Sequence, residues 1–280
     1  TRESWQVLRK DRELLLFPVF SLVTATVIVV VIFSASILMP GLKSLASSLF
    51  NDKQAHTVAE QALGILGLFL IYFVNWFVVI YFNTALVGCA LIRFSGGDPT
   101  VKDGFRIATK RLPQILAWAA FTSLIGTLLS TIEQQLGWLG KLVIRLVGLS
   151  WAVATYFVVP VLAVEGTGPI TAVSRSISLL KKTWGEGLTG NFVIGIGSWF
   201  VGLAFLGVGF GGIALAVYYE SIAIAVVTGA ILVLFFTLMS IVTSALRQIF
   251  LAGLYEYART GKVPAGFSEQ TMVNAIRSVS

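Results

Sequence analysis

The sequence predicts an all-α polytopic membrane protein: six transmembrane helices, paired as three hairpins and separated by cytoplasmic amphipathic helices. Three observations carry that prediction. Of 280 residues, 56% are hydrophobic and only 12% charged, against a charged share of ~25% in ordinary soluble domains. The uncharged runs are long enough to cross the ~30 Å hydrocarbon core. Between pairs of runs, a Gly- and Pro-bearing break recurs, followed by a basic amphipathic segment. The whole of 1–280 is expected to form one integral membrane domain.

Residues 1–13 set Arg2, Arg9, Lys10 and Arg12 beside Trp5, Val7 and Leu8, and read as a short interfacial helix. A secretory signal is the competing reading, set aside because the next apolar run is far longer than a signal core. The first span covers about 14–39, with Pro18 absorbed in its first turns. A polar connection containing LKSLASSLF leads to the longest expected span, 61–92, which carries no charge and exceeds what a bilayer requires. Its aromatic middle contains Asn75 and Asn83, residues that in membrane helices serve mainly as interhelical hydrogen-bond partners. The alternative is a polar path shared with Glu165.

A Ser-Gly-Gly-Asp-Pro break then precedes the second amphipathic segment, 101–112, in which Val101, Phe105, Ala108 and Leu112 form a stripe. Lys102, Arg106, Lys110 and Arg111 supply its charge. The third and fourth spans are placed at 112–132 and 146–164, with Lys141 and Arg145 snorkelling at the outer end. The fifth span, 188–218, is glycine-rich, with Gly195, Gly202 and Gly209 seven residues apart. Such a face permits close helix packing or a subunit contact. Gly207, Gly209 and Gly212 match a nucleotide-type glycine pattern by count alone, with no preceding strand. The sixth span is placed at 221–246, followed by a helical exit from Arg247, and a last amphipathic helix at 268–279.

The organising stretch is 159–186, where an apolar span ends at Glu-Gly-Thr-Gly-Pro and a third amphipathic helix, 169–184, begins. Pro169 suits a first helical turn. Ile170, Val173, Ile177, Leu180 and Trp184 make its apolar stripe, and Arg175, Lys181 and Lys182 its basic side. The stripe can face lipid head groups or the protein itself, and the sequence leaves both open. Aligning Pro99 with Pro169 overlays two repeats, and a third break falls near Pro264.

Lys and Arg number 4, 5, 3 and 4 on one alternating set of connections and 2, 2 and 0 on the other. The positive-inside rule then places both termini in the cytoplasm. It also accounts for the net charge of +7 without a nucleic-acid partner.

The segments SWQVLRKDRELLLFP, PVLAVEGTGPITAVSRSISLLKKTW and LYEYARTGKVPAGF together resemble uncharacterised six-span prokaryotic integral membrane families. The chain is also distantly similar to the membrane domain fused to some glycerophosphodiester phosphodiesterases, whose catalytic domain is not expected here. The resemblance implies a multi-pass protein of the prokaryotic inner membrane and brings no catalytic residues.

The residues themselves offer no enzyme. A single His56 and a single Cys89 exclude a His-pair site and a thiolate cluster, so neither metal nor cofactor is expected. No phosphate-binding loop or nucleophile elbow occurs. All 13 acidic residues lie in or beside connections, unlike the intramembrane carboxylates of proton-coupled transporters. Glu165 is the nearest to an exception, with Arg93, Arg175 or Arg247 as its expected partner. The expected function is therefore a non-enzymatic scaffold, oligomeric through its glycine-rich span. It would bind anionic lipid or a membrane-protein partner through Lys102, Arg106, Lys110, Arg111, Arg175, Lys181, Lys182 and Trp184. The alternative is a transporter or channel for a small uncharged or lipid-like solute.

Overall fold

The computed structural model describes residues 2–38, 58–182 and 186–268. The LKSLASSLF segment, Trp184 and the helix expected at 268–279 lie outside the described residues. Every regular element that is described is helical. They are α1 (Arg2–Lys10), a 3-10 turn (Arg12–Leu15), α2 (Leu16–Leu38), α3 (Val58–Phe94), α4 (Val101–Lys110) and α5 (Leu112–Gln135). Then follow α6 (Trp138–Ala154), α7 (Val158–Val164), α8 (Pro169–Lys182), α9 (Glu186–Tyr218) and α10 (Ile222–Thr260). Among the described residues, six stretches are long and apolar enough to cross a membrane, α6 and α7 together forming the fourth. The protein is an all-α polytopic protein in which α1, α4 and α8 each precede a pair of spans.

Two spans differ from the sequence expectation. The fourth begins at Trp138 rather than near Leu146, because Lys141 and Arg145 end an apolar run without ending a helix. The same span breaks at Thr155–Phe157. Pro160 explains the break: it donates no amide hydrogen and its ring crowds the carbonyl four residues back, that of Tyr156. The sixth helix runs 39 residues without interruption, past Arg247 to Gly261, whose φ of +70° makes it a left-handed C-cap. Its length of about 58 Å is nearly twice the hydrocarbon core, so one part extends beyond it.

The described residues of Thr1–Pro18, Ala90–Pro99 and Lys182–Ser280 form one compact unit. In it α9 and α10 run antiparallel with glycines at the contact. A Cβ on Gly202 would meet Phe236, one on Gly209 would meet Leu232 at 2.6 Å, and one on Gly212 would meet Thr228 at 2.5 Å. Phe205 stacks on Phe235 between them. Further along α10, the residues from Ile249 to Tyr255 are all buried. There α10 is packed by α1 and the 3-10 turn.

The described residues of Val19–Cys89 and Thr100–Lys181 form the second unit. The face of α5 carrying Ile115, Trp118, Ala119, Thr122, Ser123 and Thr127 is buried. Trp118 lies parallel to Trp151 of α6, 6.1 Å between ring centres. Phe20, Tyr81, Phe82 and Phe105 form an aromatic cluster linking α2, α3 and α4. Gly88 lets Ile107 of α4 lie against α3, since a Cβ there would sit 2.8 Å from its Cδ1.

Candidate functional site

The best-built polar constellation of the second unit surrounds α7, the seven-residue helix cut off by the break before Pro160. The amide that the break releases, Phe157 N–H, is buried and donates to Ser176 Oγ of α8 at 2.9 Å. An unpaired buried amide would cost about 1–3 kcal/mol, so this one hydroxyl sustains the break. At the other end of α7, Arg111 donates from Nε to the Ala163 carbonyl at 3.2 Å and from Nη2 to the Val164 carbonyl at 2.6 Å. These are carbonyls at a helix C-terminus, where a cation is favoured. The guanidinium occupies the space over Gly166: a Cβ there would run into Arg111 Nη1, and Gly166 has a φ of +63°. Glycine is required on both counts. Glu165, next in line, pairs with Arg175 Nε at 2.9 Å. Two neighbouring residues of α8, Arg175 and Ser176, therefore grip opposite ends of α7.

Of the expected stripe of α8, Leu180 is buried and Val173 and Ile177 are half-buried, but its first member, Ile170, is not covered. Ala172, Ser176, Leu179 and Leu180 are buried, whereas Ile170 is 76% exposed. A small residue, Ala172, and a hydrogen-bonding one, Ser176, fit close to the broken span better than isoleucine does. Between the two faces that the sequence left open, the contacts of Ser176 and Arg175 commit this one to protein.

The helix α4 is built by a different device. Thr100 and Asp103 form a capping box, with Asp103 N–H donating to Thr100 Oγ1 at 3.3 Å and Thr100 N–H to Asp103 Oδ2 at 3.1 Å. The Thr100 hydroxyl first, and its backbone amide second, hold the Asp103 carboxyl below the usual carboxylate range. Gly104 and Ala108 are buried on one side of α4. On the other, Lys102, Arg106 and Lys110 stand at i, i+4 and i+8, all exposed. Arg106 reaches back to Asp103 at 2.7 Å. Among the described residues, no carboxylate pairs with Lys102 or Lys110.

The residues singled out in the sequence thus divide. Lys102, Arg106, Lys110 and Lys181 are exposed, while Arg111 and Arg175 are turned inward onto α7. The side chain of Lys182 lies outside the described residues, as do the surroundings of Gly195. Gly202 and Gly209 face α10 within the hairpin. Asn75 is exposed and Asn83 half-buried, apart from the constellation around α7. Glu133 lies 3.8 Å from Arg145 at the exposed far end of the second unit.

Ser176 was not readable as a site residue, because a serine amid Ser174 and Ser178 carries no pattern of its own. Thr84 and Thr127 were equally silent, and both have buried hydroxyls with no partner among the described residues. In the first unit, Asp11 was missed as well. It is 8% exposed and forms a two-point ion pair with Arg93, which also contacts Asp98.

A family model, DUF6159, a family of unknown function, matches residues 62–267. The chain belongs to that family. The match takes in α4, the constellation around α7, and the glycine hairpin, so the family and the site share one stretch of chain. No curated protein matches, and no solved structure does. Nothing in these comparisons supports the likeness to the phosphodiesterase membrane domain. The family description carries no chemistry, so the residues around α4, α7 and α8 must carry the functional argument.

Proposed function

We propose that the protein is a non-enzymatic membrane scaffold that binds anionic lipid head groups at its basic surface helices and self-associates through its fifth span. The observation that carries this reading is the row Lys102, Arg106 and Lys110. It stands exposed on a helix whose opposite face is filled by Gly104 and Ala108. Each cation near an anionic leaflet contributes about 1 kcal/mol. The excess of Lys and Arg on these connections supports a cytoplasmic location for them, and for both termini, at a prokaryotic inner membrane. Gly207 and Gly211 support self-association, because among the described residues nothing beyond their own stretch of helix backbone comes within 4 Å of where their Cβ atoms would be. A helix of a second copy can approach that backbone closely.

The test is the native mass of the protein released from membrane, compared with the triple variant Lys102→Gln, Arg106→Gln, Lys110→Gln. The wild type is expected as a defined oligomer retaining anionic lipid, and the variant as the same oligomer with most of that lipid lost. A lipid-free monomeric wild type would sink the proposal.

Transport of a small uncharged or lipid-like solute is the second reading. It is supported by the unpartnered hydroxyls of Thr84 and Thr127. A groove of about 740 Å³ between α9 and α10, lined by Phe205, Gly209, Thr228 and Leu232 among others, also supports it. Solute uptake into vesicles that depended on Thr84 or Thr127 would favour it over the scaffold.

A further inference from the structure

Among the described residues of the first unit, Trp5, Gln6, Arg9 and Lys10 on the outer face of α1 are left exposed, and the chemistry of that face is specific. The inner face of α1 is fully engaged. Ser4, Val7 and Leu8 are buried, and α1 packs on α10. Glu3 Oε1 accepts the Ser268 N–H at 2.9 Å. A Cβ on Gly266 would sit 3.1 Å from Val7 Cγ2, so the turn there lies directly on α1. Asp11, at the end of the helix, is held by Arg93. These contacts fix the rotation of α1 and leave Trp5, Gln6, Arg9 and Lys10 outward, with Trp5 49% exposed. Trp5 and Arg9 are one turn apart, as are Gln6 and Lys10. Arg12 extends the basic edge into the 3-10 turn. Among the described residues, no carboxylate pairs with Arg9, Lys10 or Arg12.

Four residues beyond Arg12 the first span begins at Leu16, and Leu16, Phe20, Val23 and Val27 are exposed along it. In the chain, the outer face of α1 is thus followed directly by a span whose exposed side chains suit acyl chains. Tryptophan favours the head-group level, where its ring is half apolar and its N–H finds a polar partner. Arginine and lysine one turn away match lipid phosphates.

We infer that the outer face of α1 is a membrane-docking surface for anionic lipid, seating Trp5 among the head groups with Arg9 and Lys10 on phosphate oxygens. It rests on the reading of the basic helices as membrane-surface elements but uses none of the residues of α4. Because its inner face is pinned to α10, α1 ties the long sixth helix to the bilayer surface.

The test uses the full chain in nanodiscs with and without phosphatidylglycerol, carrying Gln6→Cys labelled with a small fluorophore. Cys89, the single native cysteine, is 1% exposed, which leaves the introduced thiol selectively reactive. In nanodiscs containing phosphatidylglycerol, a head-group nitroxide lipid is expected to quench the label strongly. Iodide is expected to quench it severalfold less than it quenches the same fluorophore free in solution. Adding Arg9→Gln and Lys10→Gln is expected to restore iodide access in those nanodiscs. Iodide access equal to that of the free fluorophore would overturn the inference. Shielding from both quenchers would also overturn it, since that means a protein covers the face. The α4 triple variant reads lipid retention, and this label reads a local environment, so each proposal can fail alone.

Discussion

Asp11 and Arg111 hold the same position in two repeats, yet they carry opposite charges. Each directly follows a basic amphipathic helix that ends in lysine, α1 at Lys10 and α4 at Lys110. Each ties to the end of the span that closes its repeat. Asp11 does so through the guanidinium of Arg93 at the end of α3. Arg111 does so through the carbonyls of Ala163 and Val164 at the end of α7. The shared requirement is a polar link between a surface helix and a span end. A carboxylate meets it only if the span supplies a cation, whereas a guanidinium needs only the carbonyls that every helix terminus leaves unpaired. The first solution is a partner-dependent ion pair, and the second is independent of side-chain identity in the span but demands a glycine beside it.

The largest expected effect tests the partner dependence. Arg93→Met leaves the 8% exposed Asp11 charged and uncompensated, which should cost about 3 kcal/mol in denaturant unfolding in micelles. Asp11→Asn should cost distinctly less, because Arg93 retains the exposed Asp98. Equal losses for the two variants would break the asymmetry.

The second link gives an intermediate effect. Arg111→Ala should lose about 2 kcal/mol with its charge-assisted bonds. Gly166→Ala should lose about 1–2 kcal/mol for a side chain at positive φ, together with displacement of the guanidinium. In the double variant the losses should fall short of additive, since the truncated arginine no longer fills the space of the added methyl. Strict additivity would mean that Gly166 serves only its own backbone.

The smallest effect concerns how α4 presents Arg111. Thr100→Ala removes a cap and should cost about 1 kcal/mol. The cap also has a pH signature. Asp103 has a folded pKa below its unfolded value, so its contribution is complete above the ordinary carboxylate pKa of about 4. That contribution is lost as pH falls through the lowered folded value. Helicity followed through that acid range should drop in the wild type and be flatter in Thr100→Ala. An unchanged acid profile in the variant would place the pH response elsewhere.

Much of the architecture was legible because bilayer physics is coarse. Long uncharged runs located six spans, and Pro99 and Pro169 located two surface helices. The fourth span differs in two respects: charges at Lys141 and Arg145 hid two helical turns, and the break before Pro160 was not anticipated within the apolar run. Periodicity put Ile170 on the apolar stripe of α8 without saying what that stripe faces, and the contact with α7 is made by Ser176 instead. In the fifth span Gly202 and Gly209, seven residues apart, serve the hairpin, while Gly207 and Gly211, four residues apart, do not meet α10 among the described residues; either spacing could have made the contact.

The sequence by itself determined the solvent of this protein, its helical class, its repeat of surface helix and span pair, and the sign of its surface charge. These follow from composition and periodicity, which act locally and need no partner. Only the tertiary structure decided which cations are engaged at the ends of α7 and which stay exposed. Arg111 and Arg175 sit in the same basic segments as Lys110 and Lys181, and nothing local separates them. Their fates diverge because the broken span beside them presents unpaired carbonyls and a carboxylate, and a buried polar group must find its partner where the fold places one.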